Sequence, residues 1–170
     1  MGPLFDGATH FLLSPEDIVP AFGLALFAGL RGPEYGRRLL LVLPCAWLLG
    51  AALGLGTAPT TGSGVVSAVW LLLIGGLVAA DAKLTLCATT LLAAALGLYH
   101  GYLNAAGAGY SMSSAIMLAG LVATVFVVTA LVAALVVQLR RQWTRIAIRV
   151  VGSWIAASGV LWMGWAIRGG

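Results

Sequence analysis

Charged side chains are scarce in this sequence. They make up 8% of the 170 residues, whereas hydrophobic residues make up 61%. Soluble domains carry about 25% charged and about 45–50% apolar residues, so this chain lacks the polar surface that a water-soluble fold needs. A lipid bilayer accepts apolar side chains on the outside of helices, and the composition therefore predicts an integral membrane protein. Because the basic residues stand between apolar runs and form no basic face, we expect no nucleic-acid partner.

Cysteines and N-terminal charges are also few. Cys45 and Cys87 both fall inside apolar runs, which is typical of small core residues and not of a disulfide or a metal pair. Asp6 is the only charge before Glu16, and no apolar run follows a basic leader. We therefore expect that no signal peptide is present and that the chain inserts through its own first helix.

Apolar runs predict the fold class. It is an all-α polytopic membrane protein, a bundle of about six transmembrane helices forming a single transmembrane domain over residues 1–170. Ser14 followed by Pro15 predicts either a helix start or a kink in the first span. Small residues are expected to let the helices approach closely. The predicted spans are 17–30 (with an alternative start at 11), 39–55, 65–80, 84–103, 113–139 and 146–167, and the small residues are Gly50, Gly54, Gly75, Gly76, Gly97, Gly101, Gly120 and Gly152.

The basic residues predict the orientation. They concentrate in the first, third and fifth predicted loops, 31–38, 81–83 and 140–145, whereas the second and fourth loops, 56–64 and 104–112, contain none. By the positive-inside rule the odd loops are cytoplasmic, and both termini lie on the extracytoplasmic side of the cell (inner) membrane. The residues that set this pattern are Arg31, Arg37, Arg38, Lys83, Arg140, Arg141 and Arg145, with Arg149 able to reach the same side and only Arg168 opposed to them.

Several of these charges have a structural interpretation. Asp81 and Lys83 are expected to flank a tight turn and to pair with each other. Arg145 and Arg149 share a helix face, which favours anchoring at a phosphate-rich membrane surface.

A group of polar residues is expected at the outer end of the bundle. The first helix enters from that side and the fourth ends there, so their polar residues reach the same depth. Imidazole and carboxylate together suit a divalent transition metal such as nickel, cobalt or zinc. The candidate metal ligands are His10, Glu16, Asp17, His100 and Asn104.

Structural explanations exist for the same residues. Glu16 and Asp17 also favour the positive end of a helix dipole, His10 also suits a solvated interface, and His100 also suits a hydrogen bond between helices. No nucleophile–base pair, phosphate loop or nucleotide fingerprint is present, so we expect that the protein is not an enzyme and needs no cofactor.

Two short segments resemble the HupE/UreJ family of nickel or cobalt permeases. Residues 10–17, His-Phe-Leu-Leu-Ser-Pro-Glu-Asp, stand where the family has a His, five residues and then Asp-His. Residues 98–104, Leu-Tyr-His-Gly-Tyr-Leu-Asn, stand where it has Phe-His-Gly, two residues and His-Gly. His10 and His100 keep the family's histidines, whereas Glu16, Asp17 and Asn104 replace an aspartate and two histidines. The acidic residue expected near Gly107 is missing.

The resemblance implies a divergent permease for a divalent transition-metal cation of the nickel or cobalt class, with the metal as substrate. The exchanged ligands favour an alternative, a structural or accessory transmembrane subunit of a larger membrane complex in which the metal site has decayed. A proton or ammonium channel has less support, because only one His lies clearly within a span. The expected partners are the lipid bilayer and, in addition, other membrane subunits or further copies of this chain.

Overall fold

The part of the chain that the structure describes contains seven helices and no strands. A computed structural model describes residues 2–60, 62–139 and 141–168, so the predicted topology residue Arg140 lies outside the described residues. The all-helical prediction is confirmed. The helices are α1 Pro3–Leu13, α2 Pro15–Arg31, α3 Pro33–Gly54, α4 Gly64–Ala79, α5 Leu86–Ala105, α6 Met112–Gln138 and α7 Gln142–Ile167.

The helices have the length and composition of a multi-pass membrane protein. Among the described residues, α3, α5, α6 and α7 are each long and apolar enough to cross a bilayer. The pair α1 and α2 makes a fifth candidate span if this pair, bent by 74°, is counted as one. The span predicted at 65–80 corresponds to α4, which is apolar but has only 16 residues, fewer than the roughly 20 of a full crossing.

The helix start predicted at Ser14 and Pro15 is confirmed, since α2 begins at Pro15. The segment before residue 14 forms a further helix, α1, which was not predicted. The bounds of two predicted loops are wrong. The predicted loop 31–38 is mostly helical, because Gly32 turns the chain at φ 120° and Pro33 starts α3 at once. Proline suits the first position of a helix, where its missing N–H costs nothing. The predicted loop 140–145 is likewise shortened, since α7 begins at Gln142.

Helix α2 lies at the centre of the bundle. It packs against all six other helices, while α3 pairs with α5, α4 with α7 and α1 with α6. Residues Gly23 to Leu30 of α2 are buried without interruption. A helix that is apolar on all sides is stable only when it is enclosed. The core is therefore built around α2, with the other helices' outer faces left to lipid.

Glycines allow two of these helix pairs to approach closely. A Cβ at Gly97 of α5 would lie 2.7 Å from the carbonyl oxygen of Leu43 in α3, and one at Gly75 of α4 would lie 2.8 Å from that of Gly152 in α7. Gly101 is held even more tightly against Trp47. The predicted packing role of the small residues is confirmed at these positions. It is wrong for Gly76, whose Cβ would meet nothing within 4 Å.

Candidate metal-ion site at one end of the bundle

A sharp bend between α1 and α2 begins the candidate site. Ser14 has extended backbone angles, φ −96° and ψ 98°, and Pro15 starts α2. Proline disfavours a helical conformation in the residue before it, so the two helices cannot merge. The bend places His10, in the last turn of α1, near Asp17 in the first turn of α2. Ser14 occupies the N-cap position predicted for it but makes no side-chain cap hydrogen bond.

The end of α5 supplies the other side of the site. His100 and Asn104 are four residues apart and share a helix face. The Nδ1 atom of His100 lies 2.7 Å from Oδ1 of Asp17, and the Asn104 amide Nδ2 donates to the same oxygen at 3.2 Å. The Nε2 atom of His10 lies 2.9 Å from Oδ1 of Asn104. Hydrogen bonds therefore link His10, Asn104, Asp17 and His100 across three helices.

The partners of each atom show which atoms donate and which accept in this series of hydrogen bonds. Asn104 Nδ2 also donates to the backbone carbonyl of His100 at 2.7 Å, so both partners of that nitrogen are acceptors. The amide oxygen of Asn104 therefore accepts, and His10 Nε2 donates to it. Since the carboxylate of Asp17 accepts, His100 carries a proton on Nδ1. A neutral imidazole with this tautomer has a free lone pair on Nε2.

His100 is held rigidly in a buried place. It is 2% exposed and Asp17 is 5% exposed. The imidazole stacks on Trp47 of α3, with ring centroids 5.5 Å apart, and Phe11 of α1 packs edge-on against the same indole at 5.8 Å. The Nε2 atom of His100 is buried and has no hydrogen-bond partner among the described residues. Buried polar atoms are nearly always paired, so this one calls for an explanation.

The five predicted ligands line one open cavity of about 340 Å³. Glu16 is exposed and makes no hydrogen bond within the described residues, whereas Asp17 is buried. Sequence reasoning missed Thr60, which precedes α4, and Trp47, which lies beneath His100. An apolar run offers no signal that would single out one tryptophan. The lining residues are His10, Ser14, Glu16, Asp17, Thr60, His100, Leu103, Asn104 and Ala106.

The candidate ligands line the same cavity but do not form a complete coordination shell for a metal ion. Over residues 2–60, 62–139 and 141–168, no three His, Cys, Asp or Glu side chains lie close enough together to hold a metal ion. His10 is hydrogen-bonded to the amide of Asn104 and His100 to Asp17. The metal-ligand roles of the five residues therefore stay predictions.

A comparison with models of protein families shows the family to which this chain is related. The family model described as HupE / UreJ protein matches residues 1–162. The chain belongs to the HupE/UreJ family. The predicted family is confirmed, and residues 10–17 and 98–104 lie within the matched range. Both segments contribute residues to the cavity. No curated protein and no solved structure matches the chain.

The charged groups at the opposite end form a second cluster. Asp81, between α4 and α5, accepts hydrogen bonds from Arg31 and from Arg145, the latter at 2.7 Å. The predicted pairing of Asp81 with Lys83 is therefore wrong. Arg149 Nε donates to the carbonyl oxygen of Ala79 at 2.8 Å. Residues 80–85 place Asp81 between the end of α2 and the start of α7. Its partners are therefore Arg31 and Arg145, although Lys83 is closer in the sequence. We call Arg31, Asp81, Arg145 and Arg149 the arginine cluster.

Proposed function

We propose that this protein is a membrane permease for a divalent transition-metal cation, of the nickel or cobalt class, and not an enzyme. The cation is the substrate, and it enters at the cavity lined by His10 and His100. Membership of the HupE/UreJ family, which is associated with nickel and cobalt transport, supports this function. Imidazole ligands favour these metals over magnesium or calcium, which prefer oxygen ligands.

The observation that carries the proposal is the environment of His100. Asp17 accepts from Nδ1, and Nε2 is left buried without a partner among the described residues. Histidines that bind metals usually donate their other nitrogen to a carboxylate or a carbonyl, which fixes the tautomer and raises the basicity of the ligand. In this proposal His100 is the principal ligand and Asp17 orients it. His10 and Glu16 are further ligands, and they must move to complete the shell.

We also propose an orientation. The arginine cluster faces the cytoplasm, and the cavity opens to the extracytoplasmic side of the inner membrane, together with both termini. Arg31, Arg145 and Arg149 lie together at one end of the bundle and the cavity at the other. Basic residues are retained on the cytoplasmic side during insertion.

Cation binding to the purified chain tests this function. Equilibrium dialysis in mild detergent would measure the affinity for Ni²⁺ and Co²⁺, with Mg²⁺ as the oxygen-preferring control. We expect saturable binding of one Ni²⁺ that is lost in His100→Ala and weakened in His10→Ala and Glu16→Gln. Asp6→Asn is the matched control, because Asp6 is an exposed carboxylate of α1 that does not line the cavity.

Transport is then measured in proteoliposomes that contain a metal-sensitive dye. Entry of Ni²⁺ is expected for the wild type and for Asp6→Asn, and not for His100→Ala. Because His100 is packed against Trp47, its replacement can also impair folding. His10 and Glu16 are exposed, so their variants keep the test valid. Wild-type protein that binds no Ni²⁺ would refute the permease.

The alternative is a structural or accessory subunit of a membrane complex. It is favoured by one observation, that the described His, Cys, Asp and Glu side chains form no group of three that could hold a metal. On this alternative the wild type binds no metal after gentle purification and is recovered in a fixed ratio with other membrane proteins. Mass spectrometry of the same preparation that is used for dialysis distinguishes the two functions.

A further inference from the structure

The arginine cluster connects three segments that are distant from one another in the sequence. Arg31 is the last residue of α2, Arg145 lies in the first turn of α7, and Asp81 lies between α4 and α5. Both arginines donate to the two carboxylate oxygens of Asp81, one to each. A third link joins Arg149 of α7 to the carbonyl oxygen of Ala79 at the end of α4. One carboxylate thus connects the central helix α2 with the peripheral pair α4 and α7.

This carboxylate is held in an uncommon backbone conformation. Asp81 has φ 50°, the only positive φ of a non-glycine residue in the described part of the chain. Asp81 adopts it as the residue that ends α4: its N–H donates to the carbonyl oxygen of Val78, and the N–H of Ala82 donates to that of Leu77. A left-handed residue is a common end of a helix, and aspartate tolerates this conformation better than most residues. The backbone turn therefore fixes the position of the carboxylate, and each arginine binds one of its oxygens.

Arg31 and Asp81 are largely shielded from water, whereas the side chain of Arg145 is 44% exposed. The side chain of Arg31 is 11% exposed and that of Asp81 is 22% exposed, and the Arg31 guanidinium lies 5.9 Å from the centre of the Phe27 ring. Burial by itself raises the pKa of Asp81, but the hydrogen bond from Arg145 and the charges of Arg31, Arg145 and Arg149 outweigh it and lower that pKa below 3.8. Asp81 is therefore ionised at neutral pH.

Each end of the bundle has a cavity, and the stretch of α2 between the two cavities is buried. The cavity at the arginine end, of about 230 Å³, is lined by Gly29, Leu30 and Arg145 among others. The cavity with His10 and His100 is open at one end. Towards the other end α2 is enclosed: Leu24, Phe27 and Ala28 have no exposed surface. The arginine cluster lies just beyond them, one turn after Ala28. On the proposed permease function, a cation that moves from the cavity along α2 passes this buried stretch and then the cluster.

We propose that Arg31, Asp81 and Arg145 form a closure at the end of the bundle opposite the cavity. The closure rests on the proposed permease function. While it is intact, two arginines neutralise one carboxylate and leave a net positive charge, which repels a divalent cation. When α2 and α7 move away from Asp81, the carboxylate is released and faces the departing cation. When the closure opens, Asp81 therefore loses its two arginine partners and interacts with the cation instead.

Thiol labelling tests the closure without any metal. The reporter is Ala28→Cys in a background with Cys45→Ala and Cys87→Ala, reconstituted in vesicles. A membrane-impermeant maleimide is added separately at the cavity end and at the arginine end. We expect Asp81→Asn to raise the labelling rate about tenfold, equivalent to about 1.4 kcal/mol, from the arginine end only. Glu34→Gln is the matched control, because Glu34 is an exposed carboxylate at the start of α3 at the same end.

A second reporter, Ala25→Cys, covers the case in which Ala28→Cys does not fold. Ala25 is also fully buried and lies one turn nearer the cavity. Labelling that rises from both ends, or that does not rise in Asp81→Asn, overturns the closure, because a closure at the arginine end controls access from that end only. Directional labelling in a chain that neither binds nor transports Ni²⁺ supports the closure and refutes the permease.

Discussion

Asp17→Asn is the substitution that examines the candidate site most directly. It keeps the shape of the side chain and an acceptor oxygen, but removes the charge that faces His100 Nδ1. In the wild type this carboxylate accepts from His100 at 2.7 Å and from Asn104 at 3.2 Å, both on Oδ1. Asp17 is only 5% exposed, so these hydrogen bonds are largely screened from water.

The size of the effect follows from the hydrogen bond that is weakened. A hydrogen bond to a charged group contributes about 1.5–3 kcal/mol, and one between neutral groups about half as much. The loss of charge also makes Nε2 of His100 a weaker ligand. Replacing the partner of a metal-binding histidine lowers metal affinity by about 10- to 100-fold. We therefore expect the dissociation constant for Ni²⁺ to rise by about 10- to 100-fold, or about 1.4–2.7 kcal/mol.

The assay is equilibrium dialysis of the purified variant, with Asp6→Asn as the matched carboxylate control. A thermal unfolding scan with and without Ni²⁺ provides a second readout, since a ligand that binds only the folded state raises its stability. A folded Asp17→Asn protein whose Ni²⁺ affinity stays within twofold of the wild type would refute the role of Asp17 in orienting His100. The hydrogen bonds that link His10, Asn104, Asp17 and His100 would then have only a structural role.

Three further predictions concern packing, pH and orientation. Gly101→Ala should destabilise the fold by about 1–3 kcal/mol, because the new methyl group meets the backbone of Trp47. Gly76→Ala is the control: Gly76 has open space around it, so this variant should leave the thermal midpoint unchanged or raise it. The contribution of Asp81 to stability should stay constant from about pH 7 to pH 5, because its depressed folded-state pKa means that the contribution is lost only as pH falls below the unfolded value of 3.8. Thermal scans of the wild type and Asp81→Asn across this range measure it, and a difference that shrinks already above pH 5 would contradict it. The positive-inside rule predicts an extracytoplasmic C-terminus. Alkaline phosphatase fused after Gly170 should therefore be active and green fluorescent protein fused there should be dark, and the reverse pattern would overturn the proposed orientation.

Local features of the sequence were enough to predict most of the fold. Hydropathy is a property of each segment alone, so α3, α5, α6 and α7 could be recognised without knowing their neighbours. The same reasoning failed for α1, which is only 11 residues long and has exposed apolar residues such as Leu4 and Leu13. It also failed at Gly32 and Pro33, where a single residue turns the chain and no loop is needed.

The candidate residues were predictable, but their pairing was not. His10, Glu16, Asp17, His100 and Asn104 could be selected because polar groups are rare in an apolar chain and because two segments resemble one family. Nothing in the sequence indicated that Asn104 would bind His10 or that Trp47 would lie under His100. Helical periodicity relates residues three or four positions apart, whereas Asp17 and His100 are 83 positions apart.

The sequence by itself determined that this protein is an all-helical membrane protein of the HupE/UreJ family, because hydropathy and short motifs are read along one segment at a time. Only the tertiary structure decided which side chains meet. The 74° bend at Ser14 places His10 of α1 within hydrogen-bonding distance of Asn104 in α5. Glycines bring α3 close enough to place Trp47 against His100, and the central position of α2 brings Arg31 to Asp81. These contacts depend on how helices pack across the bundle, and packing is a property of the whole chain.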